Sequence, residues 1–137
     1  MNKRVLSFLE KEHVSALAIL VKGKPHTSTM HFAFDGENAE FVYFTKLTSR
    51  KCSSLRSKRF DFASISIGFD EKKMIEFQAD GKAKIIPKIM SDKYEKTFSS
   101  KFKGAKLDEE HIVLVFKPTW WRYTEYKPKF LVISSEK

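Results

Sequence analysis

Short apolar or alternating segments separated by tight-turn signals make up most of this chain, and they constrain its fold more than any other feature. Val14–Val21 is a short apolar run typical of a buried strand, and His26–Phe34 alternates as a strand with two different faces does. Further strand signals lie at Glu40–Thr45, Phe62–Gly68, Met74–Ile86 and His111–Phe116. Pro118 is expected to interrupt the last of these, after which Trp120–Tyr126 continues extended, and Phe130–Ile133 is a candidate for a further short strand. Strands at this spacing, joined by turns such as Asp35–Asn38, are typical of a small antiparallel barrel. We therefore predict a mainly β fold with about six strands.

Three short helices are expected to flank this barrel. The apolar residues of Asn2–Glu12 fall on roughly one helical face. Ser91 is a candidate N-cap for a helix that ends near Phe102, with acids near its start and lysines near its end, as the helix dipole favours. The third helix is predicted to run from Ser49 to about Ser57.

The length and composition limit the classes of protein that fit. The 137 residues correspond to one ordinary domain, so we predict a single domain over residues 1–137. No apolar run approaches the ~20 residues that a membrane span requires, and the charged residues from Glu10 to His13 interrupt any signal-peptide core. We therefore expect a cytoplasmic protein without membrane association. The single cysteine, Cys52, excludes an internal disulfide and any zinc site built from several cysteines.

A candidate anion site lies in the segment Phe44-Thr45-Lys46-Leu47-Thr48-Ser49-Arg50-Lys51, between a strand and a predicted helix. Ser49 is positioned to cap that helix by accepting a free backbone N–H of the first turn. Arg50 and Lys51 then lie where the helix dipole is already positive, which costs roughly 0.3–1 kcal/mol for each cation. An anion docked at the helix end removes this cost. The segment therefore predicts a phosphate site.

The charge of the chain leaves a second function open. The net charge is +9, and the stretch between Phe41 and Phe60 holds six cations and no acid. Such a surface attracts polyanions, although a solvated basic face explains it equally well. A module that binds nucleic acid or another polyanion is therefore an alternative, but no zinc-finger spacing or RNP-like pattern supports it.

The motif also carries a family resemblance. Phe44-Thr45 is followed four residues later by Ser49-Arg50-Lys51 and then by Leu55. This resembles the flavin-binding split-barrel group of pyridoxamine 5'-phosphate oxidase, in which an aromatic-Thr pair, three variable residues, Ser-Arg-Lys and a downstream Leu close over the FMN phosphate. Phe77–Gly81 resembles a family strand that ends in an acid-glycine pair, and the length resembles the short members of the group. The resemblance implies a six-stranded antiparallel split β-barrel that binds FMN.

The resemblance also implies roles for individual residues. Arg50 and Lys51 would contact the FMN phosphate, with hydroxyl bonds from Thr45 and Ser49. The backbone from Thr27 to Phe32 would line the isoalloxazine ring, and two chains would form each site together, with FMN at the interface of a homodimer. The implied cofactor-binding set is Thr27, Ser28, Thr29, Met30, Phe44, Thr45, Ser49, Arg50, Lys51, Gln78 and Trp121, where the tryptophan (Trp121, or alternatively Trp120) comes from the partner chain. The implied activity is that of an FMN-dependent oxidoreductase acting on a small-molecule redox substrate.

The chain departs from the oxidase pattern where that family binds its substrate. Thr27 stands where the family has an arginine, and Phe32 replaces a substrate-contacting lysine. No Arg-x-His segment precedes Lys137. These departures leave flavin binding in place and argue against pyridoxamine phosphate as the substrate. No residue is identified as a catalytic acid or base.

The four histidines leave one further alternative. No pair of them has a metal-ligand spacing such as HExxH, so we predict no metal site. His31 lies on the candidate cofactor strand. Some split-barrel relatives bind haem, so a haem- or tetrapyrrole-binding barrel remains an alternative to the flavoprotein.

Overall fold

A computed structural model of the chain, which describes residues 1–136, contains one antiparallel sheet flanked by short helices. The strands are β1 (Val14–Val21), β2 (Lys24–His31), β3 (Ala33–Asp35), β4 (Glu40–Lys46), β5 (Asp61–Gly68), β6 (Ile75–Ile86), β7 (His111–Glu125) and β8 (Leu131–Ser134). The helices are α1 (Lys3–Lys11), α2 (Cys52–Leu55) and α3 (Asp92–Lys101), with a 3₁₀ turn at Lys88–Met90. In residues 1–136, no helix combines the length and the apolar character needed to cross a bilayer.

The sheet follows the order β2-β1-β5-β6-β7-β4-β3, and β8 pairs with the second half of β7. Its inner face forms one aromatic-rich core to which both ends of the sheet contribute, Leu17 and Ile19 from β1 and Phe41 and Tyr43 from β4. The sheet therefore curls around a shared interior. On the outer face, α3 covers β4, β6 and β7 through a second apolar cluster that contains Tyr94 and Phe98.

The mainly β, antiparallel prediction is confirmed, but the sheet has eight strands rather than six. The segment predicted as one strand over His26–Phe34 is divided at Phe32, whose ring is fully buried in the core. The short hairpin strand β3 therefore begins after it.

Strand β7 continues through Pro118, where an interruption was expected. The register of β6 against β7 shifts between Asp80 and Gly81, opposite this proline. A Cβ on Gly81 would lie 2.8 Å from the Pro118 Cα, so glycine permits the close approach of the two backbones. This shift in register accommodates Pro118, so β7 continues past the proline.

The predicted helices at the start of the chain and after Ser91 are confirmed with bounds shifted by about one residue, but the Ser91 side chain makes no capping hydrogen bond to the helix. The helix predicted over Ser49–Ser57 is wrong in length, because α2 has only four residues. Its buried side chains, Cys52 and Leu55, pack into the core and hold this short turn in place.

An ion pair holds α1 to the end of β7. Arg4 donates from Nε and Nη2 to the Glu125 carboxylate at 2.5 Å and 3.0 Å, and the Tyr123 hydroxyl donates to the same carboxylate. The Arg4 hydrogen bond is the main cause that lowers the pKa of Glu125 below its ordinary value, and the bond from Tyr123 acts in the same direction. The folded protein therefore favours the ionised carboxylate.

We expect Glu125→Gln to destabilise the fold at neutral pH by removing this ion pair. A lowered folded-state pKa means that the stabilisation is present above the unfolded pKa and is lost as the pH falls through the folded pKa. The difference in melting temperature between Glu125→Gln and the parent should therefore shrink between pH 5 and pH 2. The exposed Glu71→Gln is the control. A difference for Glu125→Gln that stays constant across this range would contradict the assignment.

Candidate functional site

A cleft of about 430 Å³ opens between the end of β2, the end of β4, the turn before α2, and α3. We call it the split cleft, and it is lined by Thr29, Met30, His31, Phe44, Thr45, Lys46, Ser49, Lys51, Phe98 and His111. Phe44 and Phe98 stack with their ring centroids 4.1 Å apart and form an apolar wall. Its volume lies in the range of small-molecule sites.

Two unpaired strand edges border the split cleft. Within the described residues, β2 pairs only with β1, so its other backbone edge is free. Strand β3 covers β4 only at residues 40–42, so Phe44–Lys46 have β7 on one side and no strand of the described residues on the other. Free edges present backbone N–H and C=O groups that need partners. A planar ligand with polar edges is well suited to supply them.

The floor of the split cleft combines cations with hydroxyl groups. Lys46 and Lys51 line it, and Arg50 lies exposed between Ser49 and Lys51. No acidic residue lines the cleft, and within residues 1–136 no carboxylate forms an ion pair with these three cations. The Ser49 Oγ atom is buried and has no hydrogen-bond partner among residues 1–136. An unsatisfied buried hydroxyl costs about 1–3 kcal/mol, which an acceptor at this position would recover.

A hydrogen-bonded pair of polar side chains, His111 and Asp108, lies at the rim of the split cleft. The Nδ1 atom of His111 lies 2.6 Å from Oδ1 of Asp108. This hydrogen bond lowers the pKa of the Asp108 carboxyl, and bonds from the backbone N–H groups of Glu110 and His111 act in the same direction. Asp108 therefore stays ionised and fixes the orientation of the imidazole beside the cleft.

The structure brings together six of the predicted cofactor residues: Thr29, Met30, Phe44, Thr45, Ser49 and Lys51. Thr27 and Ser28 lie further back on β2, and the Ser28 Oγ atom is also buried without a hydrogen-bond partner in the part of the chain that the structure describes. Arg50 adjoins the cleft in sequence without lining it. The cofactor roles of these residues stay predictions.

Gln78 and Trp121 lie elsewhere in the chain. Gln78 pairs in register with Arg122 on the neighbouring strand, and Trp121 stacks on Phe77 at the edge of the core. Trp121 follows His111 by ten residues on β7, a separation of about 33 Å along the strand. Within one chain, these two side chains therefore do not join the split cleft.

The predicted N-cap at Ser49 is wrong. Helix α2 begins at Cys52, the residue before it is Lys51, and the structure gives it no side-chain cap. The backbone N–H of Cys52 instead donates to the Ser49 carbonyl at 3.1 Å, within a turn. The Ser49 hydroxyl therefore does not cap α2.

Two lining residues, Phe98 and His111, were missed by sequence reasoning. They come from α3 and from the start of β7, about fifty and sixty positions after the motif. No local spacing connects them to it, and only the closure of the sheet brings them to the cleft. Lys46 was within the motif but was not assigned a role.

Comparison with known proteins identifies the family. The family model described as pyridoxamine 5'-phosphate oxidase matches residues 1–125. The chain belongs to this family. The match covers every element from α1 to β7, including the whole split cleft. The predicted family is therefore confirmed.

Relatives within and around the pyridoxamine 5'-phosphate oxidase family agree with the fold. Two Campylobacter jejuni proteins described as UPF0306 proteins are each 24% identical over 124 residues, which is 90% of this chain and 89% of theirs. A Clostridium acetobutylicum structure, described as related to general stress protein 26 and of the pyridoxinephosphate oxidase family, has a TM-score of 0.69 at 14% identity, covering 97% of this chain and 93% of that one. A haem-binding protein from Mycobacterium smegmatis has a TM-score of 0.66 at 15% identity, covering 91% of this chain and 54% of that one. These structures show that the fold is the split barrel.

Proposed function

We propose that this member of the pyridoxamine 5'-phosphate oxidase family binds FMN in the split cleft and acts as a flavin-dependent oxidoreductase. The observation that carries the proposal is the corner formed by Lys46, Lys51 and the unsatisfied Ser49 hydroxyl, next to two free strand edges. Lysine ammonium groups and a hydroxyl bind a phosphate dianion through charge-assisted bonds, which are about twice as strong as neutral ones. FMN has both the dianion and the planar ring that these features require.

The residues divide into two groups according to the part of FMN that they would hold. Lys51, Lys46 and Ser49 would bind the phosphate, and Arg50 would add a second charge from the exposed side. The free edge of β2, from Thr27 to Met30, would offer backbone groups to the polar edge of the isoalloxazine ring. Phe44 would supply an apolar wall.

FMN, when bound, supplies electron or hydride transfer, and the protein contributes binding, orientation and electrostatics. Lysine charges near the phosphate neutralise the dianion and fix the cofactor in one register. The stacked pair of Phe44 and Phe98 excludes water from one side of the cleft. The substrate of this chain differs from pyridoxamine phosphate in our proposal, because Thr27 and Phe32 replace the family's substrate-contacting residues, and Phe32 is fully buried.

A homodimer would complete the site. Gln78 and Trp121 reach the flavin of our proposal only from a second copy, since β7 separates them from the split cleft in their own chain. The outer face of β1 and β5 carries an open apolar groove of about 400 Å³ that includes Ala18, Leu20 and Phe62. Phe62 is 62% exposed, as expected for a residue that a partner covers.

Haem is the second candidate ligand. His31 and His111 both line the split cleft, and imidazole is a common haem ligand. The structural likeness to the M. smegmatis haem-binding protein is a further reason to test haem as a ligand. FMN remains our first proposal, because the Ser49 and Lys51 corner suits a phosphate.

Titration of the purified protein with FMN tests the proposal. We expect flavin fluorescence to be quenched at one FMN per chain, with a shifted flavin absorbance spectrum and a light-scattering mass of two chains. Riboflavin, which lacks the phosphate, is the matched control ligand and should bind at least ~10-fold more weakly, since one charge-assisted contact contributes about 1.5–3 kcal/mol. Equal affinity for the two flavins would contradict the phosphate site, and a Soret band with haemin but no flavin binding would replace FMN with haem.

A further inference from the structure

A second cleft, separate from the split cleft, lies on the outer face of β6 and β7. It encloses about 550 Å³, and its charged and aromatic lining consists of Glu40, Arg59, Phe60, Lys82, Lys84 and Lys117. We call it the basic cleft. It shares no lining residue with the split cleft. Four cations and one carboxylate give it a strong positive charge.

The sheet register places these cations together. Lys82 of β6 lies directly opposite Lys117 of β7, and Lys84 follows on the same face of β6 opposite Val115. Like charges directly opposite each other in an antiparallel pair destabilise the sheet. The outer surface next to them is apolar where α3 covers it, and it becomes basic where that cover ends. The lysines therefore occupy an uncovered part of the sheet at a cost to stability.

The protein itself does little to neutralise this charge. Within residues 1–136, no carboxylate forms an ion pair with Arg59, Lys82 or Lys84. Lys117 donates to the carbonyl oxygen of Asn38. Glu40 is 7% exposed and, in the described part of the chain, forms no ion pair with its cationic neighbours. An anionic ligand would relieve the repulsion and gain several charge-assisted bonds at once.

An aromatic ring stands beside the cations. Phe60 is 41% exposed, and the Lys82 ammonium lies 4.4 Å from its ring centroid. The ring of Phe62 meets Phe60 edge-on, with the centroids 5.9 Å apart. The exposed Phe60 ring next to these lysines offers a stacking surface for a planar base next to a phosphate site.

We propose that the basic cleft binds a nucleoside polyphosphate, with the base on Phe60 and the phosphates on Lys82, Lys84, Arg59 and Lys117. The concave shape and a volume within the range of small-molecule sites favour a free nucleotide over a long strand, which needs an extended groove. Three or four cations match the charge of a triphosphate. The site is independent of FMN binding, because the two clefts use different residues.

The test is calorimetric titration of the full-length protein, saturated with FMN, with ATP at low ionic strength. We expect binding that weakens as salt is added, because screening weakens exposed charge pairs. The double variant Lys82→Gln with Lys84→Gln should weaken ATP binding at least ~10-fold, and Phe60→Ala roughly tenfold, from the loss of ion contacts and of stacking. Lys96→Gln, an exposed lysine on α3, is the matched control and should bind ATP as the parent does.

Three comparisons decide the outcome. ATP should bind more tightly than inorganic tripolyphosphate, because only ATP has a base for Phe60. Equal binding of the two overturns the nucleotide assignment. In protein without added FMN, ATP binding that is lost in Lys51→Gln but kept in the double variant places the nucleotide in the split cleft and overturns the basic cleft. Tight binding of a dT10 oligonucleotide with no ATP binding makes the surface a single-strand site and also overturns the proposal.

Discussion

The double variant Arg50→Ala with Lys51→Ala should bind FMN at least ~100-fold more weakly than the parent while remaining folded. Each charge-assisted contact to the phosphate contributes about 1.5–3 kcal/mol, and 1.4 kcal/mol corresponds to a factor of ten in affinity. Lys51 lines the split cleft and Arg50 does not, so Lys51→Ala alone should cause more of the loss than Arg50→Ala alone. Quenching of FMN fluorescence measures the FMN affinity of the double variant and of each single variant.

Two controls separate this loss from unfolding or from a general change in charge. Lys72→Ala with Lys129→Ala removes the same two charges from exposed positions outside both clefts and should leave FMN affinity unchanged. The melting temperature of the Arg50 and Lys51 variant should stay close to that of the parent, because surface substitutions generally change stability by less than about 0.5 kcal/mol. Undiminished FMN affinity in that variant would remove the phosphate-site assignment.

Phe41→Ala should destabilise the protein by about 3–5 kcal/mol, the usual cost of removing a fully buried aromatic ring. Phe41 is 0% exposed, and its ring contacts those of Phe32, Phe34, Phe77 and Phe116 at centroid distances of 4.6–5.9 Å. These rings belong to different strands and to the turn between β2 and β3. The loss therefore opens a cavity in the core among β3, β6, β7 and the turn that holds Phe32. This cost is a large fraction of the total free energy of unfolding, which is about 5–15 kcal/mol for native proteins.

Urea unfolding of the parent, Phe41→Ala and Phe62→Ala measures this effect. Phe62→Ala removes the same ring from a position that is 62% exposed, so its free energy of unfolding should change by less than about 0.5 kcal/mol in the monomer. A small effect of Phe41→Ala would show that these strands do not pack closely around this ring. A large effect of Phe62→Ala that depends on protein concentration would indicate burial in a dimer.

The phosphate motif illustrates how far local sequence reasoning reaches. The segment from Phe44 to Lys51 was predicted as an anion site, and four of its residues that were assigned to the cofactor line one cleft, namely Phe44, Thr45, Ser49 and Lys51. The detailed reason was wrong. Ser49 does not cap a helix, because α2 starts three residues later, and its hydroxyl is instead left buried without a partner. Residue types were predictable from the pattern, but the turn geometry was not.

The strand count shows the same limit. Alternation and turn residues correctly indicated most strands, since a strand buried on one face must alternate. The division of the second predicted strand at Phe32 and the passage of β7 through Pro118 depend on contacts with other strands. Gly81 lies opposite Pro118 in the sheet, and its lack of a Cβ lets the two backbones approach closely there. The secondary-structure propensities of neighbouring residues do not determine such pairings between strands.

The sequence by itself determined the mainly β class, the family motif and the excess of positive charge, because periodicity, turn chemistry and composition are properties of neighbouring residues. The tertiary structure alone decided which residues share a cleft. It brought Phe98 and His111 to Ser49 and Lys51, and it set Lys82 opposite Lys117 beside Phe60. The physical reason is that closure of the sheet and the register of β6 against β7 follow from the packing of the whole core, which joins residues tens of positions apart.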